Sequence, residues 1–390
     1  MMMAGICLAI CATDLAAQPH QEFSKGLSHH VLFDASIREG VACYRIPALV
    51  TAPNGDLIAA VDERVSSCAD LRDNRDINIV IRRSIDGGAT WSAIETVADF
   101  PDGRSASDPS MIVNEVTGTI FLFYNYMDLD AAPGRYRMHV LSSTDNGRTW
   151  IGPTDISHQI LRPEWRDDFV FITSGRGTQT RSGALLHTLV HLEEGVFVFS
   201  SEEHGASWFR LDVPVRPADE SKIVELSDGR WMINSRVNGA GVRYVRISSD
   251  RGRTWESQPD SVLIDPAANA GLLAFRMRDA ADDVGRPRTE TSDRLQMEDG
   301  SAKDGHVLLF SNPASSTRRE NLTVRASFDD GATWSADRVI YPGPSAYSTL
   351  TELDDGTIGL LFEKDEYAKV AFVKFSLDWL MEDVPNGSSD

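Results

Sequence analysis

Two short segments near the N-terminus contain arginine and carboxylate residues whose types could do chemistry. Arg45 lies in the Tyr-Arg-Ile-Pro motif at 44–47, and a loop farther along the chain contains Asp70, Asp73 and Asp76. A guanidinium group can hold a carboxylate through two parallel hydrogen bonds. A carboxyl group on a loop can donate and accept a proton. Residue types alone leave the reaction open.

Composition and missing motifs exclude several other classes of protein. The 390 residues contain 38 Lys and Arg against 58 Asp and Glu, which gives a net charge of −20 and argues against a nucleic-acid binder. A local arginine cluster could still bind a small anion. The sequence has no Gly-rich phosphate loop, Cys-x-x-Cys pair or His-Glu-x-x-His motif, and its nine histidines lack metal-ligand spacing. No apolar run reaches the roughly 20 residues that span a bilayer.

An octet of the form Ser-x-Asp-x-Gly-x-Thr-Trp recurs along the chain. It occurs at 84–91, 143–150, 248–255 and 327–334, with a degenerate copy at 201–208. Asp-x-Gly favours a tight turn in which the carboxylate accepts backbone N–H groups. We expect the Ser or Thr hydroxyl to add a bond and the Trp to pack between neighbouring sheets. These aspartates are therefore predicted to stabilise the fold, not to catalyse.

A second repeat predicts the architecture. A turn dipeptide ending in glycine precedes a short apolar run six times, which is typical of β-hairpins. The six turn glycines are Gly55, Gly118, Gly183, Gly229, Gly305 and Gly356. Six units of 46 to 76 residues indicate an all-β, six-bladed β-propeller of four-stranded blades.

The propeller is predicted to span 39–382, with a polar surface loop inserted at 277–303. Residues 18–38 are expected to lead into it, and 383–390 to form a flexible tail. The apolar segment within 1–17 fits a signal peptide, which predicts export to the periplasm or the medium. A misassigned start codon would explain the same segment.

The Tyr-Arg-Ile-Pro motif followed by five octets resembles the exo-sialidases of the bacterial type, glycoside hydrolase family 33. The resemblance runs from about Glu39 to Leu380. It implies a six-bladed propeller and a retaining exo-α-sialidase that works through a covalent sialyl-tyrosine. It also implies no metal or organic cofactor. The expected partners are sialylated glycoproteins, glycolipids and oligosaccharides.

The resemblance assigns an arginine triad that grips the substrate carboxylate. Arg45 matches its first member, Arg236 the second and Arg319 the third. Arg318 is adjacent to Arg319 and stays an alternative. Arg64 matches a further arginine that contacts the substrate.

Three residues match the catalytic set of the family. Asp70 matches the acid/base, with Asp73 as the alternative, and Tyr347 matches the nucleophile, with Tyr341 nearby. Glu220 matches the glutamate that deprotonates the tyrosine. The anomeric carbon of a sialic acid carries a carboxylate, so a neutral phenol avoids the repulsion that a carboxylate nucleophile would meet.

Other matches concern the surroundings of this set. Asp108 matches a residue that contacts a ring hydroxyl, and Glu363 matches the carboxylate that orients the first arginine. The residue before Glu220 is usually Asn in the family, and here it is Asp219, which puts the pKa of the neighbouring glutamate in question. Cys43 and Cys68 lie two residues before Arg45 and Asp70, and they either form a disulfide or remain separate thiols.

Two other functions are compatible with the sequence. A trans-sialidase, or an intramolecular one that releases an anhydro product, would use the same residues. A glycan-binding propeller that has lost catalysis would keep the octets, but the complete catalytic set argues against it.

Overall fold

The structure is a computed structural model that describes residues 23–276 and 306–382. The predicted signal peptide, the predicted insertion and the predicted tail lie outside the described residues. The described part is all-β and is built from short antiparallel strands. None of its helices has the length and apolar character needed to cross a membrane.

The strands occur throughout the described chain. The first fifteen are β1 (Ser28–Asp34), β2 (Val41–Thr51), β3 (Leu57–Val65), β4 (Ile77–Ser84), β5 (Glu95–Ala98), β6 (Arg104–Val113), β7 (Ile120–Asp128), β8 (Arg137–Ser143), β9 (Ile151–Asp155), β10 (Val170–Ile172), β11 (Gly175–Arg176), β12 (Thr178–Gln179), β13 (Leu185–His191), β14 (Gly195–Ser201) and β15 (Phe209–Arg210). The others are β16 (Ser221–Glu225), β17 (Trp231–Ser235), β18 (Val242–Ser248), β19 (Glu256–Ile264), β20 (Gly271–Arg276), β21 (His306–Pro313), β22 (Glu320–Ser327), β23 (Ala336–Glu352), β24 (Ile358–Lys364) and β25 (Lys369–Phe375). The short helices are α1 (Ser157–Ile160), α2 (Leu377–Met381) and the 3-10 turns Ala35–Ile37 and Pro163–Trp165.

Hydrogen bonding groups these strands into sheets of consecutive hairpins. Two sheets have the orders β2-β3-β4-β5 and β16-β17-β18-β19. Two more have the orders β11-β6-β7-β8-β9 and β10-β13-β14-β15, with β12 also pairing with β13. The last has the order β1-β25-β24-β23-β22-β21-β20. Its long strand β23 pairs with β22 as far as Pro344 and with β24 from Ser345 onward. The seven strands therefore divide into two sets of four that share β23.

The predicted hairpin turns occur where the glycines mark them. Five of the six turn glycines lie in the described residues, and all five have positive φ values between 73° and 91°. Gly118, for example, closes the turn between β6 and β7 at φ 73°. A residue with a Cβ is strained in that conformation, which is why glycine recurs there.

The octets form the turns expected from their residue types. In the second copy, Asp145 accepts hydrogen bonds from the Thr149 backbone N–H at 2.9 Å and from the Ser143 hydroxyl at 2.8 Å. The Ser143 oxygen in turn accepts the Gly147 N–H at 2.9 Å. Each member therefore satisfies a polar group of the turn itself.

Two of the octet tryptophans, Trp91 and Trp208, pack against aromatic rings of another sheet. The ring centroids of Trp91 and Phe372 are 5.1 Å apart, and those of Trp208 and Phe121 are 5.7 Å apart. Phe372 lies in β25 and Phe121 in β7, so each phenylalanine belongs to a different sheet from the tryptophan that it contacts. The buried core accordingly lies between successive sheets.

β1 belongs to the core, although residues 18–38 are predicted to be only a lead-in. β1 pairs antiparallel with β25 from Ser28–Lys374 to Asp34–Lys369, and Phe33 is fully buried. The chain thus completes its last sheet with its first strand. This pairing joins residues at opposite ends of the sequence, which local patterns do not reveal.

The inner strands of the sets also contact one another. β2 contacts β6 and β23, and β16 contacts β13 and β20. These strands and the segments next to them carry several of the side chains described next.

Candidate active site

The predicted site residues come from distant parts of the chain. They are Arg45 in β2, Arg64 in β3, Asp70 in the loop after β3, Asp108 in β6, Glu220 before β16, Arg236 after β17, Arg319 before β22, Tyr347 in β23 and Glu363 in β24. Contacts between their side chains link them into one cluster.

A tyrosine–glutamate pair lies at the centre of the cluster. The Tyr347 hydroxyl donates a hydrogen bond to Glu220 Oε2 at 2.6 Å. Arg236 Nη1 donates to the same glutamate oxygen at 2.6 Å and to the Tyr347 hydroxyl oxygen at 3.2 Å. The two acidic groups therefore share one guanidinium, and the tyrosine proton has a direct acceptor.

The surroundings keep Tyr347 protonated in the free protein. Burial and the negative charge of Glu220 raise the pKa of Tyr347 well above its usual value, although Arg236, Arg319 and Arg45 act in the opposite direction. The phenol consequently needs a base before it can act as a nucleophile, and Glu220 lies within hydrogen-bonding distance to serve as one.

Glu363 connects the first arginine to the tyrosine. It is fully buried and accepts Arg45 Nε at 3.0 Å and the Tyr347 backbone N–H at 3.0 Å. It also accepts the backbone N–H of Ile46 at 2.8 Å. Burial disfavours the charge on Arg45, but the charge and hydrogen bond of Glu363 together with Tyr347 and Tyr367 outweigh it, so the net effect raises the pKa of Arg45.

The backbone of β2 is irregular at this point. Ile46 has φ 62°, a conformation that is rare for a β-branched residue, and the pairing of β2 with β3 shifts register between Arg45 and Ala48. β6 has the same feature, with Asp108 at φ 63° and a register shift between Ser107 and Ser110. Both residues precede a proline. Strain of this kind is often retained where it aims a functional side chain.

The structure distinguishes Arg319 from Arg318 by position. The guanidinium carbon of Arg319 lies 5.3 Å from the centre of the Tyr347 ring, and its Nη1 donates to the Tyr367 hydroxyl at 3.1 Å. Arg318 is 74% exposed and pairs with Glu320 at 2.9 Å. Arg319 is thus the one in the cluster.

Asp70 lies on the open side of the cluster. Arg64 Nη1 donates to Asp70 Oδ1 at 2.7 Å, and Arg45 Nη1 lies 3.8 Å from the same oxygen. Partial loss of water raises the pKa of Asp70, but the positive charges, chiefly that of Arg64, more than offset it, and the pKa is below its usual value. Asp73, the alternative in the same loop, is exposed to solvent.

Asp108 has a different environment from Asp70. It accepts a hydrogen bond from Asn125 Nδ2 at 3.0 Å, and its backbone N–H donates to Asp62 at 2.9 Å. Burial and the nearby Asp62 carboxylate raise the pKa of Asp108 well above that of an ordinary aspartate. Asp108 is therefore suited to donate a hydrogen bond near neutral pH.

Three residues that the sequence does not single out also belong to the cluster. The guanidinium carbon of Arg45 lies 4.1 Å from the centre of the Tyr367 ring. Arg64 Nη2 lies 3.0 Å from an oxygen of Asp62, and the Asn125 amide donates a hydrogen bond to Asp108. Tyr367 follows two other residues with positive φ, and no motif marks this turn. Asp62 precedes Arg64 by two residues, so strand alternation could have indicated it.

The two cysteines are joined in the structure. Cys43 and Cys68 form a disulfide, with their Cα atoms 5.7 Å apart. The bond connects β2, which carries Arg45, to the loop that carries Asp70. Tyr341, the alternative to Tyr347, instead donates to Asp365 at 2.5 Å and lies outside the cluster.

Comparisons with known proteins point to one family. The family model described as BNR repeat-like domain matches residues 55–360. A sialidase from Micromonospora viridifaciens is 37% identical over 88% of this chain. The alignment covers 53% of that protein, so the chain spans about half the length of this relative.

Solved structures give the same result for the fold. The Hadza microbial sialidase Hz136 superposes with a TM-score of 0.77 at 28% identity, over 90% of this chain and 69% of the other. An intramolecular trans-sialidase from Ruminococcus gnavus superposes with a TM-score of 0.72 over 91% of this chain and 98% of the other, at 19% identity. The chain therefore belongs to the BNR repeat-like domain family and is similar to proteins that are sialidases.

Proposed function

We propose that the chain is a retaining exo-α-sialidase that removes terminal sialic acids from glycoproteins, glycolipids or oligosaccharides. The observation that carries this proposal is the 2.6 Å hydrogen bond from Tyr347 to Glu220 within a cluster of three arginines. A buried phenol with its own base suits attack on an anomeric centre that bears a carboxylate.

In this proposal the arginines bind the sialic acid through its carboxylate. Arg45, Arg236 and Arg319 surround the Tyr347 ring and present N–H donors from three different strand ends. A carboxylate held between guanidinium groups gains charge-assisted hydrogen bonds and a fixed orientation. Arg64 and the protonated Asp108 are proposed to contact other parts of the sugar.

The first chemical step forms a sialyl-tyrosine. Glu220 accepts the phenol proton as the Tyr347 oxygen bonds to the anomeric carbon. The bond from that carbon to the aglycone oxygen breaks, and Asp70, in its carboxylic acid form, donates a proton to the leaving oxygen. The aglycone departs as an alcohol.

The second step releases the sugar. A water molecule gives a proton to the Asp70 carboxylate and attacks the anomeric carbon. The bond to Tyr347 breaks, and the phenolate recovers its proton from Glu220. Two inversions at the same carbon give net retention.

Substrate binding is proposed to prepare Asp70 for the first step. Its pKa is below the usual value in the free protein because Arg64 and Arg45 favour the carboxylate. A bound substrate carboxylate places negative charge beside those arginines, which reduces their effect and raises the pKa of Asp70.

The test is hydrolysis of a fluorogenic α-sialoside by the wild type and by Tyr347→Phe, with mass spectrometry of the released sugar. We expect free sialic acid from the wild type and a loss of at least about 100-fold in kcat from the variant. An anhydro sugar or a transferred product would assign the chain to the trans-sialidases instead. A wild type inert toward all linkages would favour a glycan-binding role.

We further propose that the six sets of strands form a six-bladed propeller with the site at one end of its axis. Contacts from β2 to β6 and β23, and from β16 to β13 and β20, support a ring of inner strands. The pairing of β1 with β25 would close that ring. A crystal structure with another number of blades would contradict this.

Export is also proposed. The Cys43–Cys68 disulfide supports it, because structural disulfides persist mainly in oxidising compartments. Thiol titration of the denatured, unreduced protein isolated from its native host tests the proposal, which requires that these two cysteines do not react.

A further inference from the structure

A buried lysine lies close in the chain to the glutamate of the tyrosine–glutamate pair. Lys222 lies in β16 two residues after Glu220, whose carbonyl extends the pairing of that strand by accepting the Arg236 backbone N–H at 3.0 Å. The lysine is only 2% exposed. Its ammonium donates to the Ser174 carbonyl at 2.5 Å and to Asn269 Oδ1 at 2.6 Å.

This ammonium is an unusual buried charge. Among residues 23–276 and 306–382, no carboxylate lies within ion-pair distance of it; its hydrogen-bond acceptors are a carbonyl and an amide oxygen. The neighbouring buried Arg243, by contrast, pairs with Asp265 at 3.3 Å. Burying an ammonium is costly, so its retention without such a partner points to a function.

Lys222 is connected to the backbone that carries Tyr347. The side-chain oxygen of Asn269 accepts a hydrogen bond from the ammonium. The backbone carbonyl of the same residue accepts one from the Ser348 backbone N–H at 3.3 Å. Two residues earlier, the Ala267 carbonyl accepts Arg319 Nη2 at 2.7 Å. The segment 267–269 therefore links the lysine to both the nucleophile strand and the third arginine.

The space around the ammonium is closed. A Cβ added to Gly175 would lie 3.3 Å from both Cε and Nζ of Lys222. The titratable and charged groups that act on the ammonium are Glu220 on its own strand and Arg243 on β18. Its own charge reaches His187 on β13, where burial and Lys222 lower the pKa of the imidazole to about 3.

We propose that Lys222 is a positioning residue for the nucleophile pair. Its bond to the Asn269 side chain fixes the segment 267–269, whose backbone carbonyls hold the Ser348 N–H on the nucleophile strand and the Arg319 guanidinium. Burial lowers the pKa of Lys222 and Glu220 opposes that effect, as expected for two groups that sense each other. The proposal rests on the sialidase function above.

The experiment compares Lys222→Met, Lys222→Gln and Asn269→Ala with the wild type in full pH profiles of kcat and KM on a fluorogenic α-sialoside. Wild-type hydrolysis first establishes the function. Both lysine variants remove the ammonium that donates to Asn269. We expect kcat to fall about tenfold or more in both, with KM changed less than threefold, because the nucleophile strand loses its support while the groups that bind the sugar stay in place.

Asn269→Ala removes the amide oxygen that accepts from the ammonium and keeps the backbone carbonyl that accepts from Ser348. We expect the same fall in kcat, again with KM changed less than threefold. This variant also serves if the lysine variants fold poorly, which thermal unfolding would reveal. Wild-type kcat in folded Lys222→Met or in Asn269→Ala would overturn the positioning role.

Discussion

Arg319 and Arg318 differ in position, not in type. Arg319 faces the Tyr347 ring, and Arg318 is exposed beside Glu320. We expect Arg319→Ala to lower kcat/KM about 30-fold or more, since one charge-assisted hydrogen bond contributes roughly 2 kcal/mol. Arg318→Ala is the matched control and should stay within twofold of the wild type. Steady-state kinetics on an α-sialoside measures both, and equal losses would contradict the assignment.

Asp70 is predicted to act through its proton, which makes its importance depend on the leaving group. An aryl leaving group needs little protonation, and a sugar alkoxide needs much. We expect Asp70→Ala to lose about 100-fold more activity on a sialyl-oligosaccharide than on an aryl sialoside. Asp73→Ala, in the same loop, should show no such difference. Equal losses on both substrates would exclude Asp70 as the general acid.

The lowered pKa of Asp70 also predicts how the activity depends on pH. Its pKa is lowered in the free protein, and a bound substrate carboxylate raises it. Because the acid must be protonated to act, activity falls as pH rises through its pKa. The alkaline limb of kcat, which reports the complex, should therefore lie at higher pH than that of kcat/KM, which reports the free enzyme.

The sequence indicates candidate site residues where a motif surrounds them, as for Arg45 in its tetrapeptide, which the structure places in the cluster. It missed Tyr367, because this residue reaches the site through a turn of three residues with positive φ that matches no motif. The sequence could not decide between Arg318 and Arg319, because the two side chains have the same chemistry. Adjacent residues near the start of a strand differ only in the side of the strand from which they project.

The octet turns contribute to packing between sheets as well as to the turns themselves. Gly205 has φ 90°, and a Cβ there would lie 2.0 Å from the Phe121 ring of the preceding sheet. A Cβ added to Gly88 would lie 2.4 Å from Phe372, and one added to Gly147 would lie 2.4 Å from Ile58. The glycine of the octet therefore permits both the backbone conformation and the contact with the next sheet, and only the first follows from the sequence.

Gly205→Ala and Gly183→Ala separate these two effects. Gly183 has φ 91° but no atom within 4 Å of its added Cβ, so its variant has the backbone strain alone. We expect Gly183→Ala to reduce the free energy of unfolding by about 1 kcal/mol and Gly205→Ala by about 3 kcal/mol. Urea denaturation measures both. Equal losses would mean that the contact with Phe121 adjusts freely.

The molecule as a whole depends on β1, a strand that no pattern in the sequence predicts. Turn glycines and octets predicted the number of hairpins, but the pairing of β1 with β25 and the sharing of β23 between two sets arise from contacts between distant residues. We expect Phe33→Ala to lower the free energy of unfolding by about 3 to 5 kcal/mol, because its side chain is fully buried. Denaturant titration of the full chain measures the loss.

Val31 lies on the same strand and provides the control. It is 41% exposed, so Val31→Ala should change the free energy of unfolding by at most about 0.5 kcal/mol. A small loss for Phe33→Ala as well would mean that β1 is peripheral and that β23, β24 and β25 are stable without it.

The junction of β1 with β25 also has a consequence for the order of events during biosynthesis. β1 leaves the ribosome long before its partner β25. At about 10 residues per second β1 waits roughly half a minute for β25. Through that interval its hydrogen-bonding edge and Phe33 are open to other chains, so the nascent protein is exposed to mispairing until β25 has been made.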